Sequence, residues 1–269
     1  MGTQKTSGFT IVESMLFLAI SGVLVVTMIG GVGVTIQIQR YRDAVETFKS
    51  LIQDQYSELT SVKNEERAAN WTCNAQAETV EGGNDARSRG QGRCVILGRY
   101  MTIQGADISL RSVVGFKNGT STTGNDIDKL ISNYVLNTST LTEEDTTLEW
   151  GAQIAWPREG VTSRSPQMPR DLSILFIRSP DSGQVYTFTN NSVPATTSPT
   201  TLDAMLIAEA TVPGRGSQTI CIDSGGVLLE SNSSIYIEQF ASGPTAIEIR
   251  SNDFHAASTS TVIDRTLRC

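Results

Sequence analysis

Residues 7–14 read SGFTIVES and place a single carboxylate, Glu13, at the mouth of the chain's longest apolar run. From Ser14 to Gln39, 26 residues pass without a charge, among them MLFLAISGVLVVTMIGGVGV. About 20 apolar residues cross ~30 Å of hydrocarbon as a helix. A helix buried in a water-soluble domain ordinarily keeps one polar face, and this run has none. The stretch predicts a membrane-spanning helix over about residues 9–38. Its one anomaly is the glutamate.

Beyond Gln39 the pattern changes without a break. Tyr41, Val45, Phe48, Ile52, Tyr56 (or Gln55), Leu59 and Val62 recur at three- and four-residue steps, and Ala44 and Leu51 widen the stripe. Arg42, Asp43, Glu46, Lys49 and Asp54 take the opposite side. That spacing is an amphipathic helix, so one long helix is expected from Phe9 to about Glu66. Gly22, Gly30, Gly31 and Gly33 each weaken it by about 1 kcal/mol relative to alanine.

The remainder, 67–269, is polar and acidic. Lys5 and Glu13 cancel, so the whole net charge of −7 lies after Gln39. Such a surface offers no general attraction to nucleic acid, whose binding leans on phosphate neutralisation. The one dense basic cluster, Arg87, Arg89, Arg93 and Arg99, reads as a solvated loop edge. Short β-branched or aromatic runs follow one another: CVILGRYMTI, DISLRSVVGF, TLEWGAQIAW, LSILFIR, VYTFT, QTICI, GVLLE, SIYIEQF and AIEIR. These predict a mainly antiparallel β domain, with turns at SPDSGQ and DSGG. NDIDKLISNYVL is a short helix or a further strand, and TNNSVPATTSPTT is a loop. The fold class is α+β, a long helix packed on that domain.

Four cysteines, Cys73, Cys94, Cys221 and Cys269, all follow the apolar run. Four permit three connectivities. Sequential pairing closes local loops and ties down the last residue, and is preferred. Zinc lacks a C-x2-C spacing, and the only histidine, His255, stands alone. An even count beyond a membrane helix indicates an oxidising, extracytoplasmic compartment.

Two ordinary readings of the N-terminus leave something over. A secretory signal peptide needs a positive start, an apolar core of about 7–15 residues and a small-residue cleavage site. Here Lys5 is the only positive side chain before the run, the core is too long, and Glu13 interrupts it. A plain single-pass anchor explains the length but not the glutamate, since a carboxylate in hydrocarbon costs about 2.5–3.5 kcal/mol. Gly8, Phe9, Thr10, Ile11, Val12 and Glu13, followed by the apolar helix, resemble the class III signal of type IV pilins and pseudopilins. The resemblance implies a leader peptide, residues 1–8, removed between Gly8 and Phe9 by a prepilin peptidase, with N-methylation of Phe9. It implies that Glu13 neutralises the new amine of a neighbouring subunit, so that the ion pair sets register between stacked helices. Family members carry a glycine and often a proline in this helix, and this chain has no proline there.

The resemblance further implies a pilin-like fold and, as partners, other pilin or pseudopilin subunits, the assembly platform and its ATPase, and the membrane. No cofactor, metal or nucleic acid is expected for the subunit. ICIDSGGVLLE with a distal cysteine looks like the FimT/GspH-type minor pseudopilins over roughly the last 100 residues, a likeness resting on hairpin-like β patterning. The bulky domain after the helix suits a low-copy subunit. The expected location is the cytoplasmic membrane, with the domain outside and a filament after assembly. One count opposes that orientation: Arg40, Arg42 and Lys49 follow the helix while only Lys5 precedes it, the reverse of a positive-inside bias. A membrane-anchored β domain that never polymerises is the alternative.

Catalytic readings are weaker. IDSGGV resembles the serine-protease GDSGG with its first glycine replaced by Ile222, and a triad on Ser224 would need His255. Asn125 to Asp128 with Glu143, Glu144 and Asp145 is oxygen-rich but forms no EF-hand loop. No Walker-type loop occurs. Trp71, Trp150 and Trp156 read as core or loop anchors.

Overall fold

The computed structural model of the protein describes residues 10–60, 71–81, 94–156, 158–159, 168–194, 198–211, 218–225, 233–238, 241–251 and 267–269. Helix α1 (Ile11–Thr60) is continuous for 50 residues, ~75 Å at 1.5 Å per residue. The four glycines lie in its first half without breaking it. From Tyr41 onward its apolar stripe is buried: Tyr41, Ala44, Val45, Phe48, Ile52, Tyr56 and Leu59. The expected continuation to Glu66 falls outside the described residues.

After α1 come β1 (Trp71–Cys73), β2 (Thr79–Glu81), β3 (Cys94–Gln104), β4 (Asp107–Lys117), α2 (Asp126–Asn133), β5 (Tyr134–Thr138), β6 (Glu144–Thr147), β7 (Gln153–Ala155) and β8 (Arg158–Glu159). They are followed by β9 (Asp171–Arg178), β10 (Val185–Asn190), α3 (Pro199–Thr211), β11 (Gln218–Asp223), β12 (Ser233–Ile237), β13 (Ile247–Ser251) and β14 (Leu267–Arg268). The larger sheet has the order β10-β9-β3-β4-β5, with β6 on the other end of β4; a second sheet has the order β13-β12-β11-β7. All the strand pairs are antiparallel.

The α1 stripe fills the space between the sheets. Met101, Ile103, Leu172, Ile174 and Phe176 approach it from the larger sheet; Ile154, Ile220, Ile222, Ile235 and Ile237 approach from the smaller. Tyr56 meets Phe176 edge-on, with ring centroids 5.1 Å apart. The other face of the larger sheet carries Tyr100, Val113, Leu136, Leu175 and Ile177, covered by Leu130 of α2 and Leu202, Met205 and Leu206 of α3. Strand β9 is therefore buried on both faces, which is why LSILFI reads as a near-continuous apolar run rather than an alternation. Gly98 marks a register shift in β3, where a Cβ would run into the Phe176 carbonyl.

Four expectations change. TLEWGAQIAW is not one strand: β6 ends at Thr147, and β7 starts at Gln153 in the other sheet. The chain crosses between sheets at Trp150 and Gly151, both with positive φ. NDIDKLISNYVL supplies both a helix and a strand, α2 and then β5. The loop TNNSVPATTSPTT ends in the first turn of α3, a helix with no expected counterpart. Arg99 lies on β3 at 8% exposure, not on a loop edge; Arg87, Arg89 and Arg93 lie outside the described residues, as does GVLLE. β11 pairs with β12 and β7.

The disulfides join Cys73 to Cys94 and Cys221 to Cys269, with Cα–Cα distances of 6.3 and 5.3 Å. The second spans 48 residues and fixes the buried Cys269 against β11. A loop of that length loses enough chain entropy on cross-linking to stabilise by up to ~4 kcal/mol. Replacing Cys221 and Cys269 together by serine should lower the unfolding free energy in urea by about 2–4 kcal/mol. In α3, one Asp203 carboxylate oxygen is buried without a hydrogen-bond partner among the described residues, and burial pushes its pKa up. A carboxyl raised in the folded state supports folding fully below its unfolded value of about 3.9 and loses that support as pH rises through the folded value. Asp203→Asn should therefore raise the melting temperature at pH 7 by about 2–4 °C, the shift expected for ~1 kcal/mol in a domain of this size. It should also flatten the decline of the melting temperature above pH 4.

Candidate functional site

The first half of α1 has no covering surface among the described residues. From Ile11 to Ile36 every large apolar side chain is exposed, Phe17 to 70%. The helix is long and apolar enough to cross a membrane. Gly8 and Phe9 lie outside the described residues. Glu13 sits in the first turn, exposed, and its N–H donates to the Thr10 carbonyl at 3.1 Å and to Thr10 Oγ1 at 3.4 Å. Thr10-x-x-Glu13 has the spacing of a capping box, and a negative charge there suits the helix dipole. Its carboxylate forms no ion pair among the described residues.

The exposed half passes into the buried half within three residues. Ile38 is half-buried, Arg40 exposed and Tyr41 buried. The Tyr41 hydroxyl donates to the Ile222 carbonyl and accepts from the Ser233 N–H, both at 2.8 Å. Burial pushes the Tyr41 pKa up. One hydroxyl thus ties the helix to two adjacent strands of the smaller sheet. The Arg40 guanidinium lies over the Trp150 ring, 4.7 Å from its centroid. Trp150 is 53% exposed with φ 60° and ψ 24°, a left-handed conformation that costs an aromatic residue roughly 1–2 kcal/mol. Gly225 backs against the Gly151 carbonyl so closely that a Cβ could not be added.

Higher on α1, further polar contacts fix its rotation. Tyr56 donates to Thr187 Oγ1 at 2.7 Å, and Thr187 in turn donates to the Ala241 carbonyl. Burial pushes Tyr56 to about 12. Arg99 Nε donates to Glu58 Oε2 at 2.8 Å, and Gln53 Nε2 donates to the Pro244 carbonyl at 2.8 Å.

No protein-family model, curated protein or solved structure matches this chain. Its own residues carry what can be said of its role.

The other sequence candidates have structural occupations. Asp223 Oδ2 accepts from Gln153 at 3.2 Å; Ser224 follows β11, and His255 lies outside the described residues. Asn125 and Asp128 cap α2 reciprocally, at 2.9 and 3.0 Å. Ser182 and Tyr186 donate to Asp126, and Arg111 to Glu143. Trp156 is 40% exposed, so neither it nor Trp150 is a core anchor; the side chain of Trp71 lies outside the described residues. Trp156 lies over Arg170, whose centre is 4.6 Å from the ring. Arg170 is 2% exposed, and desolvation brings its pKa down to about 10. The pairs Arg40–Trp150 and Arg170–Trp156 have no local signature, because nothing in residue order announces a contact across 110 residues or a buried arginine that, among the described residues, meets a carbonyl and an amide oxygen rather than a carboxylate. Tyr41→Phe leaves the Ile222 carbonyl and the Ser233 N–H without their partner. It should cost about 1–3 kcal/mol in equilibrium unfolding with little change in secondary structure.

Proposed function

We propose that this chain is a minor subunit of type IV pilin or pseudopilin type. It is structural rather than catalytic, held in the cytoplasmic membrane by α1 and assembled through that helix into an extracytoplasmic filament. One combination supports the reading: the sequence carries Gly8 and Phe9 just ahead of a 50-residue helix with Glu13 in its first turn, and that helix is apolar and exposed in its first half and built into a disulfide-bonded β domain in its second. Removal of residues 1–8 creates a cationic amine on Phe9. That amine and Glu13 are each costly to bury alone and tolerable as a pair, so the pair specifies register more than stability. The partners are other pilin-type subunits, the prepilin peptidase and the assembly platform with its ATPase. The large domain on the helix favours low copy number, near the tip or in initiation.

A second reading has its own support. The Glu13 N–H donates to Thr10 Oγ1 at the start of α1, and a carboxylate in the first turn suits the helix dipole in a chain that stays a single membrane-anchored β-domain protein. Mass spectrometry of the mature N-terminus separates the two. A chain beginning at N-methylated Phe9 is the expected result; an intact Met1 or a cut near Gly31 overturns the pilin reading. In purified filaments this chain should be a small fraction of the subunits.

A further inference from the structure

Two non-glycine residues among the described residues have positive φ, Ala77 and Trp150. Ala77 is fully buried, whereas Trp150 faces outward. The fold thus holds a large aromatic ring in an unfavourable backbone conformation and leaves half of it exposed. Gly151, with φ 73°, and the close approach of Gly225 lock that turn from behind. The ring stacks against Arg40, the first charged residue after the apolar run.

The height of this pair relative to a bilayer follows from the helix. As α-helix, Ser14 to Gln39 spans about 39 Å at 1.5 Å per residue, against roughly 40–45 Å for a bilayer with its headgroups. The last stretch of the run already carries Thr35, Gln37 and Gln39. Arg40 therefore reaches the far headgroup layer, and Trp150, stacked on it, reaches the same level. Tryptophan favours that layer, its ring apolar and its N–H able to donate. Arginine extends its charged end to phosphate from a buried stem. The exposed Glu149 and the −7 net charge would push the domain off a phosphate surface, so a cation at the point of contact offsets that repulsion.

We infer that residues 149–151 form a membrane foot. Trp150 seats among the phospholipid headgroups of the outer leaflet, and Arg40 donates to a lipid phosphate beside it. The foot sets the tilt of the β domain on the bilayer before any assembly. It rests on α1 being a membrane anchor and is independent of polymerisation.

The test uses the full chain with Trp71→Phe and Trp156→Phe, leaving Trp150 as the only tryptophan. The chain is reconstituted in phosphatidylethanolamine/phosphatidylglycerol vesicles carrying a nitroxide either on the headgroup or near the end of the acyl chain. Trp150 fluorescence should be quenched roughly twofold more by the headgroup label than by the deep one. Arg40→Ala should reduce that quenching, and Arg40→Lys should retain most of it. If the chain floats with the vesicles and neither label quenches Trp150, or the deep label quenches as strongly, the foot is overturned while the anchor stands. Quenching indifferent to Arg40→Ala overturns the arginine's part. A chain that does not float overturns the anchor and the foot together. The difference in headgroup quenching between the native chain and Trp150→Phe gives the same answer without altering the other tryptophans.

Discussion

The buried stripe of α1, Tyr41 through Leu59, is the surface on which both sheets depend. Each sheet presents an apolar face that its own strands cannot cover, and the helix lies between the two faces. Removing side chains such as Phe48, Ile52 or Tyr56 from water contributes about 1.5–3 kcal/mol each for the aliphatic and aromatic types. The same burial has a mechanical consequence. Because α1 is one continuous helix, fixing its second half against the sheets also fixes the direction in which the first half leaves the domain.

Hydrophobic burial is non-directional, so the stripe alone would tolerate some sliding and rotation of the helix. Directional contacts remove that freedom. Tyr41 holds the lower end to β11 and β12, Tyr56 reaches β10 through Thr187, and Glu58 meets Arg99 on β3. These contacts are spaced along the buried half and engage both sheets. A displacement of α1 along its axis would strand several buried polar groups at once, each costing about 1–3 kcal/mol. The helix is held in one register.

Much of this was legible in residue order. The uncharged run and the three- and four-residue stripe after it specify one helix with two environments, because helical periodicity is local. Strands β3, β4, β9 to β13 are visible as β-branched runs, and the turn at SPDSGQ lies between β9 and β10. The membrane-length apolar run and Glu13 belong to the same class: they can be read from spacing alone. Helix α3 was not legible in the same way. Its sequence, PTTLDAMLIAEAT, follows a threonine- and serine-rich stretch, and Ala204, Ile207, Ala208 and Ala210 spread its apolar residues around the helix, so that Leu202, Met205 and Leu206 do not stand out as a stripe. Its place is set by the uncovered face of the larger sheet, where Leu202 and Leu206 are wanted.

A membrane-length helix, a carboxylate at its entrance, an amphipathic continuation and an antiparallel β domain are each written in local composition and period. Tertiary structure alone decided that TLEWGAQIAW breaks at Trp150, that Arg99 is a buried partner of Glu58, and that Arg40 lies against Trp150. Those outcomes turn on which sheet a strand joins and which distant group a side chain meets. Such meetings are fixed by the closing of the core around α1, and no local period encodes them.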